Sequence, residues 1–282
     1  MSKKFLALLL SMICVFTLCA CSNGQTAPAT NDNNADADAQ VADAQVTVLD
    51  LDAVKANGRL VVGITDFEPM DYKDADGNWI GFDADLAKAF AESLGVEAQF
   101  VEIDWDNKVM ELEGVTVDCI WNGMTLTDEV MSSMSCSNAY CNNAQVVVVN
   151  KDVADKYQDT ESLKELTFAV EAGSAGEEQA QAYGLNYTPV ESQANALMEV
   201  AAGTSDAAII DSLMAAAMVG DGTSYADLTY TIGLNDEKYG VGFRKGSDLT
   251  DELNKFLQAS YADGTMMKIA EEYGVQAAII EQ

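Results

Sequence analysis

Residues 60–102 read LVVGITDFEPMDYKDADGNWIGFDADLAKAFAESLGVEAQFVE, and this stretch decides the fold. Leu60 to Ile64 is a short apolar run that predicts a buried strand. Lys73 to Gly77, closing on Asp76-Gly77, predicts a turn. Asp83 can cap a helix through Leu94, because Leu86, Phe90 and Leu94 fall on one face and Gly95 follows as a stop. Val96 to Glu102 returns as a strand. Strand, helix, strand is the unit from which parallel sheets are built.

The same alternation extends along the chain. Asn107 to Glu113 reads as helix and Asp118 to Trp121 as strand. Val146 to Val149 is a β-branched run suited to a buried strand. Thr167 to Val170 is another. Ser192 can cap a helix to Ala202, with Ala194, Leu197, Met198 and Ala201 on one face and Gly203 after it. Ala207 to Ile210 is a strand ending at Asp211, where a helix through Val219 begins. Tyr239 to Phe243 is a late strand, and Ser247 or Asp248 opens a helix carrying Leu249, Leu253, Phe256 and Leu257. No repeat of 20–50 residues interrupts this order. The expectation is an α/β fold with mostly parallel sheets, in which ligands sit beyond the carboxyl ends of strands.

Composition narrows the function. The chain has 282 residues, 15 Lys and Arg against 46 Asp and Glu, and no His, for a net charge of −31. A field of that sign repels nucleic acid. Without histidine there is no Ser-His or Cys-His nucleophile, no imidazole proton shuttle and no His-based metal site. Only two arginines exist, Arg59 and Arg244.

The N-terminal segment reads as an address. Lys3 and Lys4 precede an apolar run from Phe5 to Leu18, too short for a comfortable membrane span and laid out as a signal peptide over residues 1–20. It ends Leu18-Cys19-Ala20-Cys21, which resembles the lipobox of bacterial lipoproteins and makes Cys21 the expected lipidation site. Ordinary secretory cleavage near Ala20 is the alternative. Loss of residues 1–20 removes two lysines and no acid, taking the net charge to −33. The segment 21–48 reads as the lipidated cysteine and a disordered tether, reaching about 30 Å on average. The expected location is the outer face of the cell membrane, or the periplasm. Of the cysteines beyond Cys21, Cys119 reads as a buried strand residue. Cys136 and Cys141 leave a bridge open, but three thiols indicate no disulfide framework. The absence of Cys-x-x-Cys argues against zinc or redox chemistry.

Several blocks together resemble the extracellular solute-binding proteins of amino-acid ABC transporters. They are Gly58-Arg59-Leu60-Val61-Val62-Gly63, Phe67-Glu68-Pro69-Met70, Trp79-Ile80-Gly81-Phe82-Asp83-Ala84-Asp85-Leu86, Val117-Asp118 leading to Asn122-Gly123-Met124-Thr125, Ala172-Gly173-Ser174, Ser205 to Asp211, and Tyr239-Gly240-Val241-Gly242-Phe243. Their order and spacing match that family over roughly residues 55–275. The resemblance implies a two-lobed, periplasmic-binding-protein-like fold with a ligand cleft. Lobe 1 would be 50–139 plus 240–282, and lobe 2 would be 145–234. The hinge crossings would fall at 140–144 and 235–239, an arrangement suited to hinge closure. It also implies a monomer that delivers its solute to a membrane permease, with no cofactor, no metal and no catalytic residue.

Site residues follow from the same resemblance. Phe67 and Trp105 match aromatic positions that flank the ligand, and core packing is their plainer reading. Asn122, Gly123 and Thr125, placed where a strand gives way to a loop, match positions that hold the ligand's amino and carboxylate groups. Ser174 and Ala175, between Gly173 and Gly176, open a helix whose free N–H groups suit a carboxylate, and a simple cap is the alternative. Asp211 matches the acid that meets the ligand's α-ammonium, against a capping role. Asp66 and Glu68 lie near the mouth. The family motif Met-Thr-x-Thr-x-Glu-Arg ends in an arginine that clamps the ligand carboxylate, but this chain has Val130 there. Glu171 occupies a ligand-facing position and with Asp211 makes the inferred cleft acidic. Three accounts stay open: Lys108 or helix N–H groups replace the clamp; the ligand is cationic or lacks a free carboxylate; or transport has been lost. Rival functions are an enzyme on the same fold, dehydratase-like with Glu171 as the acid, and an extracellular ligand sensor.

Overall fold

The structure is a computed structural model that describes residues 48–282. The signal segment, Cys21 and the tether up to residue 47 lie outside the described residues. Thirteen strands are described: β1 (Arg59–Ile64), β2 (Tyr72–Lys73), β3 (Trp79–Ile80), β4 (Glu97–Glu102), β5 (Cys119–Thr125), β6 (Ser135–Cys136), β7 (Cys141–Asn143), β8 (Gln145–Asn150), β9 (Thr167–Glu171), β10 (Asn186–Val190), β11 (Ala207–Asp211), β12 (Leu228–Gly233) and β13 (Glu237–Phe243).

They form two main sheets, each the core of one lobe. The first has the order β4-β1-β5-β13-β6, with β7 also paired to β13, and the second has the order β10-β9-β11-β8-β12. The pairs β1–β4, β1–β5, β9–β10 and β9–β11 are parallel, as the strand–helix alternation predicts. The sheets are nevertheless mixed, because β13 runs antiparallel to β5, β6 and β7, and β8 runs antiparallel to β11 and β12. The reason is local. Strands β8 and β13 arrive straight from a passage between the lobes, without the helical crossover that a parallel neighbour needs.

The chain passes between the lobes twice, from β7 to β8 through Ala144 and from β12 to β13 through residues 234–236. The two passages are bonded to one another where Glu237 pairs with Asn143 and Tyr239 with Cys141. Below them, the helix Phe82–Leu94 lays Phe82, Leu86 and Phe90 onto the first sheet, where Leu60, Val62 and Ile64 are fully buried. In the second sheet Val147 and Val149 pack with Phe168, Val170 and Ile209. Each such side chain contributes about 2 kcal/mol when withdrawn from water.

Caps written in the sequence are made. Ser174 Oγ accepts the Glu177 N–H and Ser192 Oγ accepts the Asn195 N–H. Gly95 and Gly203 end their helices in the left-handed conformation at φ 78° and 72°. Asp83 is different. The helix starts at Phe82 behind Gly81, and Asp83 does not cap it. Its buried Oδ2 instead accepts the Gly123 N–H at 2.6 Å and the Tyr140 hydroxyl at 2.7 Å, so its job is to hold the strand that carries the site. Cys119, Cys136 and Cys141 are all free thiols, so the bridge left open by the sequence is not formed. Arg244 sits between Asp50 and Asp118 and also donates to the carbonyls of Leu112 and Val117, pinning the helix Asp50–Asn57 to the lobe 1 sheet. Among the described residues no helix is long and apolar enough to cross a membrane.

Candidate functional site

Strand ends and the loops after them converge from both sheets on one cavity of about 230 Å³. Its wall includes Phe67, Trp105, Asn122, Gly123, Thr125, Glu171, Ser174, Ala175 and Asp211, so all nine candidates from the sequence are brought together. Asp66 and Glu68 are not part of that wall. Asn122 and Gly123 lie inside β5, which runs on to Thr125, rather than beyond its end.

Lobe 1 supplies the aromatic walls. Phe67 is buried and meets Tyr239 edge-on, with ring centroids 6.3 Å apart. A Cβ on Gly123, which sits at φ 54°, would lie 2.4 Å from the Phe67 ring, so only glycine lets the strand come this close to the aromatic wall. Asn122 is fully engaged: its carboxamide oxygen accepts from the Thr65 N–H and hydroxyl, and its amino group donates to the Thr65 carbonyl and to Asp71. It braces the wall. Trp105 opens a single 3-10 turn, and the Lys108 ammonium lies 5.0 Å from its ring centre. Phe67 and Trp105 are therefore core residues and cavity wall at once.

Lobe 2 supplies the acids. Glu171 ends β9 with 3% of its surface exposed, and its Oε1 has no hydrogen-bond partner. Burial pushes its carboxyl up to about 8, with Lys108 opposing the shift. Asp211 ends β11 and stands at the N-cap of the next helix but makes no capping bond. It accepts instead from Gln193, Asn143, Gln145 and the Tyr239 hydroxyl, the last at 2.7 Å. Burial first, and the neighbouring Glu237 second, push its carboxyl well above the usual range.

The helix Ala175–Ala182 begins at the cavity, but its anion niche is partly filled from within. Glu177 reaches back and its Oε2 accepts the Gly173 N–H at 2.7 Å. Ser174 is thus a cap in a box-like arrangement with Glu177. Val130, at the position where the resemblance calls for arginine, packs with Trp105, Met124 and Met134 and also lines the cavity. Arg244 is committed to Asp50 and Asp118, and Arg59 is exposed at the start of β1. No guanidinium faces the cavity. Among the described residues its only cation is Lys108, whose ammonium donates to the Gly173 carbonyl across the cleft at 2.8 Å and to the Trp105 carbonyl at 3.3 Å. Burial lowers the lysine's proton affinity, and Glu171 opposes this most strongly. Six carboxyl groups share the wall with it: Asp106, Glu129, Glu171, Glu177, Glu178 and Asp211.

Sequence reasoning did not reach Asn143, Gln145, Gln193 and Glu237. Asn143, Gln145 and Gln193 donate to Asp211 and Glu237 adjoins it; Asn143, Gln145 and Glu237 stand at the lobe crossing, while Gln193 opens the helix Gln193–Ala202 and carried no signal in the sequence. Among the described residues, no group of His, Cys, Asp and Glu is arranged to hold a metal.

Residues 60–276 match the family model for bacterial extracellular solute-binding proteins, family 3. The arginine-binding extracellular protein ArtP of Bacillus subtilis is 28% identical over 76% of this chain and 86% of its own. The L-cystine-binding protein TcyA of the same organism is 28% identical over 96% of this chain and 97% of its own. A crystal structure of a mutant of ArgBP from T. maritima superposes with a TM-score of 0.75 at 33% identity, over 79% of this chain and 98% of that one.

Proposed function

The chain belongs to the bacterial extracellular solute-binding proteins, family 3, and from that premise we propose that it is a lipid-anchored receptor that hands a cationic amino acid, or a related small amine, to a membrane permease. It is an amino-acid-binding protein of the ABC-transporter type and not an enzyme, since the curated relatives it matches are named as binding proteins. Its family is extracellular or periplasmic. In the proposal, lipid on Cys21 holds the protein at the membrane, the segment after it acts as a tether, and the solute is enclosed between the lobes.

The observation that carries the ligand class is the charge census of the cavity: six carboxyl groups, one lysine already tied to two carbonyls, and no arginine. An anionic solute entering such a wall meets mostly acids, whereas a cation finds Asp211 and the free Oε1 of Glu171. Phe67 and Trp105 offer the flat faces that suit its apolar stem or its charge. Asn122, Gly123 and Thr125 shape the lobe 1 side, and Ser174 and Ala175 the lobe 2 side. Lobe closure gives the permease a distinct surface to recognise, and the solute shifts that balance only by binding the closed form better.

A thermal-shift screen over the common amino acids, simple amines and short peptides tests the reading, because a solute that binds only the native form raises its melting point. Arginine, lysine or a diamine is expected to raise it most. Tight binding of glutamate, confirmed by calorimetry, would overturn the cationic class. Labelling with a radioactive fatty acid tests the anchor: incorporation is expected in the native chain and should vanish in Cys21→Ser.

A further inference from the structure

A polar solute is selected by the donors and acceptors that the cavity wall leaves for it. On the lobe 1 side the donors are taken inside the fold. Both amide hydrogens of Asn122 go to the Thr65 carbonyl and to Asp71, the Gly123 N–H goes to Asp83 Oδ2, and the Thr125 hydroxyl goes to Glu237 Oε1. On the lobe 2 side Glu177 Oε2 accepts the Gly173 N–H, and the Gln193 amide donates to Asp211. Lys108 gives two hydrogens to carbonyls, and its charge already faces Glu171, Glu129, Asp106 and Glu178. The Val130 side chain, also in the wall, has no donor to offer.

What the wall does present is acid. Glu171 and Asp211 end the paired parallel strands β9 and β11, and the Gln193 carboxamide reaches both. Glu171 is 3% exposed, lines the cavity and leaves its Oε1 without a partner. A polar atom shut away from water and unmet is costly, and an arriving ammonium or guanidinium meets it. A carboxylate fares differently. In an amino acid it hangs on the carbon that bears the α-ammonium, so it is carried into the cavity wherever that ammonium binds. There it must shed its water beside Glu171 and among donors already taken. A site can discriminate by leaving one group of the wrong solute unpaired.

We infer that the cavity is specific for an amine without a carboxylate, the decarboxylated form of a basic amino acid, and that Glu171 is the residue that sets this preference. The inference rests on the reading of the cavity as the site of a cationic solute, and narrows it.

Calorimetry of the purified protein compares three probes that share one guanidinium side chain: agmatine, L-arginine and L-argininamide, in which a neutral amide replaces the carboxylate. Agmatine is expected to bind at least about tenfold tighter than arginine, with argininamide on agmatine's side of that gap. In Glu171→Gln the gap should close to within about threefold, because the amide keeps the shape of the side chain and adds a donor for the carboxylate. Arginine bound by the native protein as tightly as agmatine, or more tightly, overturns the inference and leaves the cationic class standing. Argininamide bound as weakly as arginine also overturns it, since bulk and not charge would then be refused. A gap that persists in Glu171→Gln overturns the role given to Glu171. Binding of none of the three overturns the cationic class itself, and the inference with it.

Discussion

Arg244, half-buried, and Asp211, buried, are charged groups with opposite fates. Arg244 reaches two carboxylates and two backbone carbonyls, all supplied by lobe 1. Its charge is answered inside the fold, and the group is complete. Asp211 is surrounded by amides, a hydroxyl and a second acid with no cation bonded to it, and Glu171 feels Lys108 but leaves its Oε1 without a hydrogen-bond partner. A site that closes its own electrostatic account serves stability. A site whose buried acids are only partly answered from within the fold suits something that arrives from outside.

The strongest way to break this contrast is at Arg244. Arg244→Met leaves the buried Asp50 and the half-buried Asp118 without their cation, Asp118 keeping only the Val61 N–H, and is expected to cost about 3 kcal/mol in chemical denaturation, while the protein that remains folded binds its solute normally. Asp211→Asn should do the reverse. It removes the charge that awaits the solute, and calorimetry is expected to find binding weakened at least about a hundredfold, about 3 kcal/mol, with ligand-free stability unchanged or raised.

Glu171 sharpens the contrast through pH. Its folded carboxyl sits at about 8, against 4.5 for the free side chain, so the folded state holds a proton that the unfolded chain has lost. Stability of the ligand-free protein therefore falls as pH rises from about 5 to about 8. Glu171→Gln should flatten that slope and stabilise the ligand-free protein at pH 8 by about 2 kcal/mol or more, read from denaturant midpoints at both pH values. The smallest effect belongs to Lys108→Met. It removes one hydrogen bond between the lobes, worth about 1 kcal/mol, and should open the cleft enough to register in small-angle scattering and to weaken binding by about fivefold.

Much of this molecule is legible from local pattern. The run Val146 to Val149 is buried throughout, Ser174 and Ser192 cap their helices, and Gly95 and Gly203 end theirs. These features are set by neighbours a few residues away. The nine candidate residues share a cavity because strand ends and the loops after them in an α/β sheet gather on one side. What stayed hidden is long-range. Asp83 has the composition of a cap, yet its carboxylate is drawn to Gly123 and Tyr140, 40 and 57 residues away. Glu177 partly fills the helix niche that looked free for a carboxylate. Glu237 lies one residue before a charged Lys and reads as surface, yet β13 brings its carboxyl to the Asn143 and Gln145 amides that also hold Asp211. The mixed sheets escaped for a similar reason, since the direction of β13 depends on where the chain has just come from.

Gly173 carries a last consequence. It sits at φ 69°, and a Cβ there would lie 2.8 Å from the Cα of Asp106 on the opposite lobe. The two jaws thus meet backbone to backbone, with no room for even a methyl group. Gly173→Ala would act as a doorstop: the protein could still collect its cargo, but the shut form offered to the proposed permease would be kept ajar.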